Sequence, residues 1–135
     1  MTRTLLAICF GASLGALLRY ALAQALNDLL PFLPLGTLAA NLLGGLCMGL
    51  GLGFFSLFPS LGPEWRLLVF TGFLGALTTF SAYSAEVSLL LVDQRFGMAA
   101  GLVALHNIGS VLMTLLGLGG FTLLKGLVAA AQKAG

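Results

Sequence analysis

The sequence predicts an all-α integral membrane protein of four helices with a break in the third. Three observations carry this. Only 7% of the 135 residues are charged and 59% are hydrophobic, where soluble domains carry roughly 25% charged residues. The mean hydropathy is +1.09. The apolar residues also gather into four stretches, each long enough for the ~20 residues that a spanning helix needs. Ionised groups are costly in hydrocarbon, so a chain that nearly lacks them is built to face lipid. The net charge of +2, with no cluster of Lys and Arg, argues against a nucleic-acid partner. No alternating pattern marks a membrane barrel.

The first span covers 4–26 and is interrupted by Arg19 and Gln24. Arg3 before an apolar run, followed by Ala21-Leu22-Ala23, has the outline of a secretory leader. Arg19 would fall between the apolar core and that cleavage site, so cleavage is not expected. The second span, 35–58, has no charge, and the third, 67–92, has only Glu86. The fourth, 96–124, has no formal charge apart from a titratable His106. The connections 27–34, 59–66 and 93–95 hold the prolines and most other charges. They are too short for domains, so 1–135 reads as one membrane domain. Four crossings put both termini on one side. Arg3, Arg66, Lys125 and Lys133 lie on that side, against Arg95 and Arg19. This bias favours cytoplasmic termini, yet it is small enough to allow insertion both ways.

Cys9 and Cys47 sit in apolar runs without His or Cys neighbours at metal spacing, and read as small buried hydrophobes. The chain has 19 glycines. Gly11 and Gly15, Gly45, Gly49 and Gly53, and Gly97 and Gly101 form G-x-x-x-G pairs, which let helix backbones approach where no hydrophobic effect drives association. Each pair alone is explained by packing within the chain. Their number on four helices points to a homo-oligomer, most simply a dimer.

Polar groups at membrane depth need partners and are functional candidates. Asn41 offers an amide in the second span, either as interhelical bond or as pore-lining donor. On the fourth, Asn107, Ser110 and Thr114 share a face by their i, i+3, i+7 spacing, with His106 at its border. Neutral donors on such a face replace water around an anion without trapping it; the alternative is bonding within the helix. The third span runs from Gly72 through Gly75, Thr78 and Thr79 to Phe80, Ser81, Tyr83, Ser84 and Glu86. Two glycines and two adjacent threonines make a poor helix interior, which predicts a break near 75–79. Unwound backbone is tolerated at membrane depth where it is buried in protein or lines a cavity, and its carbonyls can bind a cation. The aromatics Phe80 and Tyr83 are one turn apart and, alone, read as packing. No Ser–His–Asp set, metal cluster or phosphate loop supports an enzyme.

The stretch 72–86 resembles the signature of the Fluc/CrcB fluoride channels. So do Gly11-Ala-Ser-Leu-Gly15-Ala-Leu-Leu-Arg19-Tyr20, then Gly36-Thr37-Leu-Ala-Ala-Asn41-Leu-Leu-Gly44, then Asn107-Ile-Gly-Ser110. These matches fall in all four spans, in order. The resemblance implies a passive, fluoride-selective channel in the inner membrane of a microbe, exporting fluoride from the cytoplasm. It implies an antiparallel, dual-topology homodimer with two pores and a structural sodium ion at its centre. The sodium ligands would be the backbone carbonyls of Gly75 and Thr78. Asn41, Phe80, Tyr83 and Ser110 would line the fluoride pore, Ser81, Ser84, Thr114 and Glu86 would form a polar track, and Arg19 would stand at the vestibule. Tyr83 differs from the phenylalanine usual in the family. The alternative is a proton-coupled small multidrug-type exporter using Glu86, although such exporters carry their carboxylate in the first helix, where this chain has Arg19.

Overall fold

The computed structural model describes residues 1–30 and 33–134. Pro31 and Phe32, inside the expected first connection, and the side chain of Lys133, counted in the charge bias, lie outside the described residues. Among the described residues there is no strand, and four helical stretches are long and apolar enough to cross a membrane: Thr2–Leu29, Leu35–Leu57, Pro63–Val92 and Phe96–Gln132. The helices are α1 (Thr2–Leu26), α2 (Leu35–Leu57), α3 (63–77), α4 (Phe80–Val92) and α5 (Phe96–Ala134). The third span is therefore α3 and α4, separated by a break, as the sequence predicts.

Two helix pairs build the molecule. α1 lies along α3, and α2 lies along α5. Glycine makes both contacts possible. A Cβ on Gly49 would stand 2.7 Å from Leu118 N, and one on Gly117 would stand 2.9 Å from Leu50 N. In the other pair, a Cβ on Gly11 would stand 2.8 Å from Phe73 N, and one on Gly72 would stand 2.7 Å from the Ile8 carbonyl oxygen. Backbone thus meets backbone, leaving no room for a side chain. Two of the three G-x-x-x-G groups are absorbed within the chain. Around Gly97 and Gly101, by contrast, nothing lies within 4 Å of an added Cβ. Where the pairs meet, Ala40, Leu74 and Leu77 form a small buried core. Larger side chains such as Phe10, Leu112 and Leu115 face outward, as lipid-facing residues do.

α3 is not uniform. An α turn at Pro63–Arg66 leads into a π-helical stretch, Leu67–Leu74, and returns to α at Gly75–Leu77. The sequence predicts an ordinary helix here and misses the π segment. π turns are rare and concentrate at functional sites. This one lies against the backbone of α1 and ends three residues before the break.

The break is two residues long. Thr78 has φ −77° and ψ 151°, and Thr79 has φ −146° and ψ 116°. The threonine hydroxyls take over the local bonding. Thr78 Oγ1 donates to the Leu74 carbonyl at 2.9 Å, and Thr79 Oγ1 accepts from Ala82 N at 3.2 Å, capping α4. Thr79 is thus the N-cap that restarts the helix. The turn from α4 to α5 closes with Arg95 N on the Leu90 carbonyl at 2.8 Å and Gln94 N on the Leu91 carbonyl at 3.0 Å. Gln94, at φ 58°, occupies the left-handed position that glycine usually fills in this motif.

Candidate functional site

The break draws its partners from α2. Asn41 Oδ1 accepts from Thr79 N at 2.8 Å, and Asn41 Nδ2 donates to the Thr79 carbonyl at 3.1 Å. The side-chain amide therefore pairs with the exposed peptide as a neighbouring strand would. The second N–H of Nδ2 reaches His106 Nδ1 at 2.9 Å. An amide nitrogen only donates, so Nδ1 is the acceptor and the ring proton sits on Nε2. Asn41 stands in the site with both N–H groups and its oxygen engaged within the protein.

Asn41 also frees carbonyls. In a continuous helix the Thr79 N–H would bond the Gly75 carbonyl, and the Ala82 N–H would bond that of Thr78. Both donors are directed elsewhere, to Asn41 and to the Thr79 hydroxyl. The next freed carbonyl, Ala76, receives Arg19 Nε at 3.1 Å. The sequence expectation put Arg19 at a vestibule; in the structure it reaches from α1 to the C-terminal end of α3, where a cation suits the helix dipole.

Beside the break lies an open cavity of about 370 Å³. Asn41 and two glycines of α2 form one wall, Thr78, Thr79, Phe80 and Tyr83 a second, and His106, Asn107, Ser110 and Thr114 a third. The face expected on the last span from its i, i+3, i+7 spacing does line a cavity. The aromatic groups are ordered. The rings of Phe80 and Tyr83 meet edge-on at 5.4 Å and 64°, and Tyr83 stacks on His106 at 4.7 Å and 28°. The Tyr83 hydroxyl accepts from Asn107 Nδ2 at 3.0 Å. Phe80 is 75% exposed on the outer side of the single chain.

Five of the eight pore and polar-track candidates therefore share one cavity: Asn41, Phe80, Tyr83, Ser110 and Thr114. Ser81, Ser84, Glu86, Arg19 and Gly75 are not in its lining, whereas Thr78 is. Ser81 Oγ lies 3.3 Å from Thr79 Oγ1, and the Ser84 carbonyl accepts from Ser88 Oγ at 2.8 Å. Glu86 Oε1 accepts from Thr37 Oγ1 at 2.6 Å, and Glu86 Oε2 is buried without a partner among the described residues. Thr114 Oγ1 donates to the Ser110 carbonyl at 2.9 Å, the bonding within the helix that was the alternative reading of this face. The sequence reading missed Thr37 and the pairing of Thr79 with Asn41. Thr37 lies one helical turn before Asn41, and that i, i+4 spacing was its available signal.

Chemically, the amide N–H groups of the lining are taken, those of Asn41 by Thr79 and His106 and those of Asn107 by the Tyr83 hydroxyl and the Val103 carbonyl, so the lining offers an anion the Ser110 and Tyr83 hydroxyls and aromatic edges, which carry partial positive charge. It holds no Arg or Lys. Such a wall can solvate a small anion and release it, where a fixed cation would hold it. A family model described as CrcB-like protein, Camphor Resistance (CrcB), matches residues 6–118. The chain is 57% identical over 118 residues to the fluoride-specific ion channel FluC of Pseudomonas paraeruginosa, covering 87% of this chain and 93% of that protein. It is 54% identical over 126 residues to the FluC of Pseudomonas putida, covering 93% and 99%. With that of Tolumonas auensis it shares 54% identity over 125 residues, covering 93% and 98%.

Proposed function

The chain belongs to the CrcB-like family, and from that membership we propose that it is a passive, fluoride-selective channel through which fluoride leaves a microbial cytoplasm. It is a multi-pass membrane protein and not an enzyme. The relatives named above are fluoride-specific ion channels. The observation that carries the reading in this chain is the cavity beside the Thr78–Thr79 break, polar through neutral donors and ring edges alone. Fluoride is small and tightly hydrated, so its path must offer short-range donors and no trap. The Ser110 and Tyr83 hydroxyls supply the donors not already spent in the wall, and Phe80 and Tyr83 the ring edges. Asn41 holds the wall in place.

The assembly is an antiparallel dimer of oppositely inserted copies, with two pores. The charge bias is small, and Gly97, Gly101 and Phe80 face outward from one chain. A structural sodium ion at the dimer centre fits the donor set at the break. The Gly75 and Thr78 carbonyls have lost their helical donors to Asn41 and the Thr79 hydroxyl, and hard cations take such oxygens. When bound, the ion would tie the breaks of two copies together by charge.

The second reading is proton-coupled export through Glu86, whose carboxylate lies in the membrane-spanning part and bonds Thr37. Liposomes loaded with fluoride separate the two. A channel releases fluoride down its own gradient with inside and outside pH equal, at a rate set by the membrane potential. Release that requires an imposed proton gradient would overturn the channel and favour the exporter.

A further inference from the structure

We propose that His106 is a positioning residue of the conduction path: its Nδ1 lone pair fixes the Asn41 amide, and through it the broken backbone at Thr79. The reading of its flux consequence rests on the channel function above. The Thr79 N–H and carbonyl both bond Asn41, at 2.8 and 3.1 Å. That pair of hydrogen bonds, one accepted and one donated, leaves the Asn41 amide a single orientation and aims its last N–H at α5. A donor so placed needs an acceptor, because leaving one unmet in the interior is costly. His106 Nδ1 meets it at 2.9 Å.

The ring is held for this purpose. His106 is only 4% exposed, and Tyr83 stacks on it with centroids 4.7 Å apart. Asn107, the next residue on α5, donates to the Tyr83 hydroxyl at 3.0 Å. The chain of contacts runs from Asn107 to Tyr83, His106, Asn41 and Thr79, and ties three helices to one peptide. The opposite ring nitrogen, Nε2, is buried with no partner among the described residues. Only one edge of the imidazole is thus bonded. A histidine serving as mere filler would not depend on which edge carries the acceptor.

That asymmetry sets the test. Asparagine at 106 places its oxygen near the Nδ1 position, whereas glutamine places its oxygen near Nε2. The variants His106→Asn, His106→Gln and His106→Leu are compared with wild type as the intact assembly in liposomes, by fluoride electrode. The expected result is His106→Asn within about threefold of wild type, and His106→Gln and His106→Leu at least about tenfold slower. A second readout is independent of flux: hydrogen exchange of the Thr79 amide should quicken in the Gln and Leu variants and stay unchanged in the Asn variant. The exchange of Ala40, in the core, should stay level in all four and reports folding. Equal behaviour of the Asn and Gln variants in Thr79 exchange overturns the proposal. Failure of wild type to pass fluoride removes the channel reading alone, because the exchange contrast still decides the role of His106.

Discussion

At the scale of single residues, Asn41 concentrates the account. It bonds both polar groups of Thr79 and the ring of His106. Asn41→Asp keeps the size and removes both donors. A carboxylate would then face the Thr79 carbonyl and the His106 lone pair, two acceptors, in the wall of an anion path. Each lost bond leaves buried groups unmet at about 1–3 kcal/mol. Fluoride efflux from liposomes should fall about 100-fold or more, with an unchanged elution volume showing that the assembly persists. Normal conduction by Asn41→Asp would reduce Asn41 to an interhelical tie. Spacing made the face of Asn107, Ser110 and Thr114 legible in the sequence, because a helix face is read from local periodicity, Asn41 stood out as an amide at membrane depth, and Phe80 and Tyr83 were singled out by the resemblance. The pairing of Asn41 with His106 spans 65 residues, and that of Thr37 with Glu86 spans 49. Such pairs depend on which helices become neighbours, which no local pattern encodes. The direction taken by Arg19 was illegible for the same reason.

At the scale of helices, the glycines sort into two kinds. Those of the α1–α3 and α2–α5 seams sit against backbone, and those at Gly97 and Gly101 sit in the open. Gly49→Ala should force α2 from α5, since its Cβ would lie 2.7 Å from Leu118 N. Overpacking of this kind costs about 1–3 kcal/mol. Gly101→Ala meets nothing within 4 Å in the single chain, and alanine is the better helix former by about 1 kcal/mol. Thermal melts of the assembly in detergent should show a lower midpoint for Gly49→Ala, and a lower one for Gly101→Ala as well where the second copy of the proposed dimer covers that face. An unchanged or higher midpoint at Gly101 would instead take Gly101 out of the dimer contact. The sequence announced the four helices and the break by hydropathy and by the Gly75 to Thr79 composition. It did not announce the π-helical stretch at Leu67–Leu74. α and π turns accept the same apolar residues, and this stretch lies against the backbone of Gly11 and Gly15 on another helix, a neighbour no local pattern names.

At the scale of the whole molecule, the four spans leave a broad apolar surface of the kind that faces lipid. The Gly75 and Thr78 carbonyls stand without their helical donors. Replacing sodium throughout by a large organic cation should lower fluoride flux or the melting midpoint of the assembly, and restoring sodium should reverse the change. Identical flux and midpoint in both salts would remove sodium from the account. The central claim is that the cavity of neutral donors passes fluoride and rejects a larger anion. Liposomes holding the purified protein, loaded with equal fluoride and chloride and read by an electrode for each ion, test it most directly. Fluoride should empty while chloride stays with the vesicles; chloride leaving as fast as fluoride would contradict the claim.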